Sequence, residues 1–147
     1  MKPVSEGGDA DAAVVLLLKP VDQDIEVLLV KRVENPADPW SGEMAFPGGK
    51  RDVKDRDLKQ TVIRETSEET NINLLDHCRF LGVMEPLRST RRPEMTVLPF
   101  IALVEYEPAI ELNEELDGFV WISLKQLVHH RGTAKFSFGE VPAYIVG

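Results

Sequence analysis

The chain has 147 residues, 43% of them hydrophobic, which is enough for one domain with a buried core and calls for no second one. A formal net charge of −8 argues against a nucleic-acid backbone or an anionic membrane as partner, because both would be repelled. The single cysteine, Cys78, excludes an intrachain disulfide and a Cys-rich zinc site; with no signal-type apolar core in residues 1–9 and no run of membrane-spanning length, the expected location is the cytoplasm.

Residues 1–11 contain Gly, Asp and Ser and have little to bury, so they read as a flexible lead-in to a single domain over residues 12–147. Apolar runs at 12–18 and 25–30, separated by Pro20, Asp22 and Asp24, predict a β-hairpin with both strands largely buried. Lys31 and Arg32 leave the second strand charged. Residues 33–42, with Pro36, Asp38 and Pro39, read as a loop, and 43–46 as a short strand that delivers the chain to the glycine pair Gly48-Gly49.

The stretch that follows carries the chemistry. Asp57 with Gln60 three residues later has the capping-box pattern, so a helix is expected from Leu58. Asn71, which tolerates the left-handed conformation, should end it just before the apolar Ile72. At roughly 100° per residue, Glu65, Glu68 and Glu69 share an arc of about 100°, while Leu58, Val62, Ile63 and Thr66 spread along the neighbouring side. Like charges at this spacing repel, and Arg64 alone does not neutralise three carboxylates. A hard divalent cation would, since Mg²⁺ prefers a few carboxylates and completes its shell with water and phosphate oxygens. The glycine pair places flexible backbone nearby, where a carbonyl could join the metal shell or the chain could pass close to a phosphate.

After the helix, residues 79–84 read as a strand and 85–94 as a charged loop. Its Arg88, Arg91 and Arg92 either grip phosphate, which the guanidinium fork matches, or form a solvated loop that offsets Glu85 and Glu94. Residues 95–104 form the most apolar strand, in which Pro99 predicts a bulge or an edge location. Residues 119–122 are a further strand, and Ser123 caps a short helix to about His129. Segment 136–146 has no helical period. Trp121 reads as core and Trp40 as a pocket wall, and His77, His129 and His130 lack metal spacing and read as surface residues. Strands interleaved with two helices fit an α/β sandwich with a mixed sheet.

Residues 46–72, FPGGKRDVKDRDLKQTVIRETSEETNI, resemble the signature of the Nudix hydrolase family, G-x(5)-E-x(7)-R-E-U-x-E-E-x-G-U with U apolar. Gly49, Arg64, Glu65, Glu68, Glu69 and Ile72 match it. The interval from Gly49 to Arg64 is one residue long, so the isolated acid falls on Asp55 counting forward and on Arg56 counting back; Thr66 takes an apolar position and Asn71 the last glycine. The resemblance implies an α/β/α sandwich and a Mg²⁺- or Mn²⁺-dependent pyrophosphohydrolase acting on a nucleoside diphosphate linked to another moiety. It implies Glu65, Glu68 and Glu69 as metal ligands with the Gly48 carbonyl, and Arg64 as the group that orients them. The base is then Glu65 or an acid from a later loop; of Glu111, Glu114 and Glu115, the favoured one is Glu115, shortly before Trp121 in a stretch, ELDGFVWISL, like that of many relatives. A partial likeness to the coenzyme A diphosphatase branch rests on Leu28, Leu29, Arg32, Gly42, Phe46, Pro47, Gly48 and Gly49, and points to coenzyme A or a derivative, with Arg32 on the substrate side. ADP-ribose, a dinucleotide or an oxidised nucleotide remains the alternative substrate class, a non-catalytic nucleotide-binding module the alternative of another kind, and a homodimer stays open.

Overall fold

A run of branched apolar residues without polar alternation has to be buried on both faces of a sheet, and the first hairpin is built that way. The computed structural model describes residues 1–6, 8–34, 36–37, 42–89 and 93–129. Strand β1 (Ala12–Val21) turns at Asp22, whose φ of 53° a short polar side chain tolerates, into the antiparallel strand β2 (Asp24–Arg32). The two pair from Leu18 opposite Val27 to Val21 opposite Asp24, then part. The segment 44–50 fills the opening: β3 (Met44–Ala45) pairs with Val30 and Lys31 of β2, and β4 (Gly48–Lys50) pairs with Ala12, Ala13 and Val14 of β1. The glycine pair therefore lies between two splayed strands rather than in a surface turn.

The far side of β1 runs parallel to β7 (Thr96–Val104), which in turn pairs antiparallel with β5 (Cys78–Val83) and β6 (Leu87–Arg88); β8 (Leu116–Ser123) pairs antiparallel with β2. The sheet is thus mixed, as the sequence predicts. Ala13, Val15 and Leu17 point to one face, where Leu58 and Val62 of helix α1 (Leu58–Thr70) and Leu74 of the single turn α2 (Leu74–His77) cover them. Ala12, Val14 and Leu16 point to the other, beneath Phe46, Met95 and Leu127 of helix α3 (Leu124–His129). Helical cover on both faces makes the α/β/α sandwich. Among the described residues no helix is long and apolar enough to cross a membrane.

Helix α1 begins and ends where its caps predict. The Asp57 carboxylate accepts from the Gln60 N–H at 2.8 Å, while the Gln60 side chain reaches back to the Arg56 N–H rather than to that of Asp57. Asn71 has φ 62° and returns its N–H to the Ser67 carbonyl, and Ile72 is fully buried behind it. The elements that sequence periodicity does not reveal, β4, α2 and β6, are all four residues or fewer.

Two expectations need correction. Pro99 lies in an interior strand, between β1 and β5, not at an edge or in a bulge of its own strand. Its carbonyl accepts from the Met84 N–H at 2.9 Å, at the gap between the stretches of β7 that pair with β5 and β6. The N–H and C=O of one strand residue point to the same side, so the missing donor falls at a break in the ladder. Residues 1–11 also bury more than their composition suggests: Lys2 exchanges backbone hydrogen bonds with Val83, and Val4, in a 3-10 turn, packs on the α1 side of the core. Trp40, Arg91, Arg92, His130 and the segment 136–146 lie outside the described residues.

Candidate active site

The close approach of three elements, β1, β4 and α1, explains both glycines. Gly48 has φ 149°, and a Cβ there would stand 2.1 Å from the Ala13 carbonyl oxygen. A Cβ on Gly49 would stand 2.6 Å from the Glu65 carboxyl carbon. At Gly48 the backbone leaves no room for a side chain, while one at Gly49 would push the Glu65 carboxylate aside. The Gly48 N–H, aimed at the helix, donates to the Glu69 carboxylate at 2.9 Å.

The acids on and just before α1 divide into two groups. Arg64 lays its guanidinium along Asp55, with Nε to Oδ1 at 3.0 Å and Nη2 to Oδ2 at 2.8 Å, and turns Nη1 toward Glu65 at 2.9 Å and Glu68 at 3.4 Å. Asp55 is buried and also accepts from the Asp52 N–H and the Thr61 hydroxyl. The guanidinium beside it holds its carboxyl well below the usual carboxylate range. The fork-to-fork pair decides between the two counts of the signature: the isolated acid is Asp55, and the extra residue lies between it and Arg64.

Glu69 is the opposite case. It is 3% exposed, and burial pushes its carboxyl up to about 8; the Gly48 N–H and Arg32 oppose the shift, and the neighbouring charges of Glu65 and Glu115 add to it. Burial raises Glu65 too, against the pull of Arg64. These acids line a cavity of about 300 Å³: Glu65, Glu68 and Glu69 from the helix, and Glu115 from the loop before β8. Arg32 and Lys50 supply its cationic side. Phe46 and Met95 supply an apolar one.

Of the residues expected from sequence, Arg32, Gly48, Glu65, Glu68, Glu69 and Glu115 therefore meet in one cavity, with Arg64 behind them. Arg88, at the end of β6, does not join them; its guanidinium donates to the Pro93 carbonyl. Trp121 is half-buried on β8, with the Lys19 ammonium 4.1 Å from its ring centre. His77 is half-buried, and its ring nitrogen lies 3.3 Å from the Tyr106 carbonyl. Lys50 and Met95 escaped the sequence reading. Lys50 follows the glycine pair, and the pairing of β4 with β1 would have pointed to it; Met95 arrives only through the parallel pairing of β7 with β1, which leaves no local signal.

An all-oxygen donor set of neighbouring carboxylates, one of them deeply buried, fits a hard divalent cation. Among the described residues, no three acidic, thiol or imidazole side chains already converge as ligands on one point. Arg64 engages Glu65 and Glu68, and the Gly48 N–H engages Glu69.

Residues 9–141 match the NUDIX domain. The chain is 32% identical over 141 residues to the peroxisomal coenzyme A diphosphatase ndx-8 of Caenorhabditis elegans, covering 94% of this chain and 59% of that protein. To the mitochondrial coenzyme A diphosphatase NUDT8 of Mus musculus it is 34% identical over 90 residues, 59% of this chain and 41% of that one. The chain spans between about a third and three fifths of the length of four curated relatives it matches. In three dimensions it resembles the crystal structure of an Ap4A hydrolase binary complex from C. elegans, with TM-score 0.67 at 24% identity, covering 80% of this chain and 83% of that one, a likeness of fold.

Proposed function

The chain belongs to the Nudix hydrolase family, and from that premise we propose that it is a Mg²⁺- or Mn²⁺-dependent pyrophosphohydrolase that cleaves a nucleoside diphosphate linked to another moiety, with coenzyme A or a derivative as the favoured substrate. The observation that carries this reading is the single cavity in which four carboxylates face Arg32 and Lys50. Acids of that number suit a cation, and the two basic groups suit the phosphates that come with it.

Glu65, Glu68 and Glu69, with the Gly48 carbonyl, would hold the ion. When bound, it would neutralise the diphosphate and lower the pKa of the attacking water. Arg64, fixed by Asp55, orients Glu65 and Glu68. Either Glu65 or Glu115 takes the proton from water; both residues line the cavity. Arg32 and Lys50 grip phosphate oxygens. Phe46 and Met95 shield the reacting group and receive a less polar part of the substrate.

The test is hydrolysis of coenzyme A, ADP-ribose, a dinucleoside polyphosphate and an oxidised nucleoside triphosphate with Mg²⁺ and with Mn²⁺, read by product analysis. Release of adenosine 3′,5′-bisphosphate and phosphopantetheine supports the favoured substrate. Intact coenzyme A beside rapid ADP-ribose turnover moves the substrate within the class, and tight nucleotide binding without any turnover would sink the enzymatic reading.

A further inference from the structure

The last carbonyls of any α-helix lack intrahelical partners and must find donors elsewhere. In α1 those of Glu69 and Thr70 take the backbone N–H groups of Asn113 and Glu111, at 3.1 and 3.0 Å. The loop that closes the helix is therefore the loop that carries Glu115. Asn113 stands at its centre. While its own N–H is tied to the Glu69 carbonyl, its side-chain oxygen accepts from the Glu115 N–H at 3.0 Å, an Asx turn, and its carbonyl accepts from Leu116. On the other side, the Glu115 carbonyl accepts from the Val33 N–H just beyond β2, at 2.9 Å.

We propose that Asn113 is a positioning residue for the reaction: it locks the Glu115 backbone to the carbonyl end of the acid-bearing helix, so that Glu115 and Glu69 enter the cavity in fixed register. The inference rests on the assignment of Glu115 to the reacting side of the cavity. A side chain on an exposed loop ordinarily samples several backbone conformers, and a general base displaced by an ångström loses much of its effect. Here one residue holds both ends of the geometry, with its main chain on the helix and its side chain on the acid. Nothing in its local sequence, ELNEEL, distinguishes it from a solvated loop asparagine.

Asn113→Ala removes the side-chain acceptor and leaves the main-chain bond to Glu69. It should lower kcat roughly tenfold with KM within about twofold, and leave melting temperature nearly unchanged. Asn113→Ser, whose hydroxyl can accept the same bond without adding charge, should restore most of the loss. In the metal-free protein, amide exchange at Glu115 should accelerate about tenfold in the Ala variant and recover in the Ser variant. On a Glu115→Gln background, Asn113→Ala should cost nothing further. An equal loss on both backgrounds would show that Asn113 acts through the fold and not through Glu115. Unchanged kcat and unchanged exchange in the Ala variant would overturn the proposal directly. Full turnover by Glu115→Gln alone would remove its premise, while leaving the hydrolase reading and Glu65 as base in place.

Discussion

Asp55 and Glu69 are both buried carboxylates, one before α1 and one near its end, and they stand on opposite sides of the ordinary range. Asp55 faces a bidentate guanidinium, a hydroxyl and a backbone N–H, so its charge is more stable inside the protein than in water. Glu69 has one backbone N–H and sits among other acids, so burial favours its proton. Equal burial thus separates into two roles. A carboxylate supplied with donors holds the scaffold; one left short of positive charge is ready to receive it.

The sharpest way to break this contrast is Glu69→Gln. Size and the bond from the Gly48 N–H are kept, burial of the ionised form is no longer required, and the carboxylate charge that a cation would need is lost. Activity should fall by roughly a thousandfold, while metal-free stability holds or rises. Hydrolysis beside thermal melting with chelator and with Mg²⁺ measures both. A variant that melts lower without metal yet turns over normally would make Glu69 a structural acid like Asp55.

Asp55→Asn should do the reverse to stability. It strips Arg64 of its charged partner, and because that guanidinium is partly exposed the cost should be about 2 kcal/mol, below the range for a fully buried pair. Denaturant unfolding measures it. Activity should fall as well, because Arg64 would no longer be held against Glu65.

The two carboxyls should also respond to pH with opposite signs. Asp55 is depressed from 3.8, so its contribution is present above that value and lost on acidification. Glu69 is raised from 4.5 to about 8, so its contribution is complete below 4.5 and is lost as pH rises toward 8. Metal-free melting temperature should therefore decline between about pH 5 and about pH 8, and Glu69→Gln should flatten that decline. A metal-free curve of the wild-type protein that is flat across the window would contradict the state assigned to Glu69.

The smallest expected effect lies between the two acids. Thr66 is fully buried where the signature has an apolar residue, and its hydroxyl has no hydrogen-bond partner among the described residues. Thr66→Val, nearly isosteric, should stabilise the protein by about 1 kcal/mol without altering turnover. A loss of stability there would point to a bound water on that hydroxyl.

Local rules were enough for the helix. The caps at Asp57 and Asn71 and the shared arc of Glu65, Glu68 and Glu69 depend on residues a few positions apart, where helical geometry leaves little freedom. The burial of the first hairpin was legible for the same reason, since an unbroken apolar run has few alternatives. What depends on distant pairing was not legible. Pro99 is tolerated inside the sheet because β5 and β6 leave a gap opposite it, and Asp55 rather than Arg56 is the isolated acid because Arg64 reaches back across the loop. Lys50 and Met95 meet the acids because β1 splays from β2 and accepts β4 on one side and β7 on the other. Glu115, which the family resemblance singled out and no local rule did, is held beside them by a loop some forty residues on that supplies donors to the end of α1. Contacts across such separations follow from how whole elements satisfy one another's backbone and apolar surface, which no window of sequence contains.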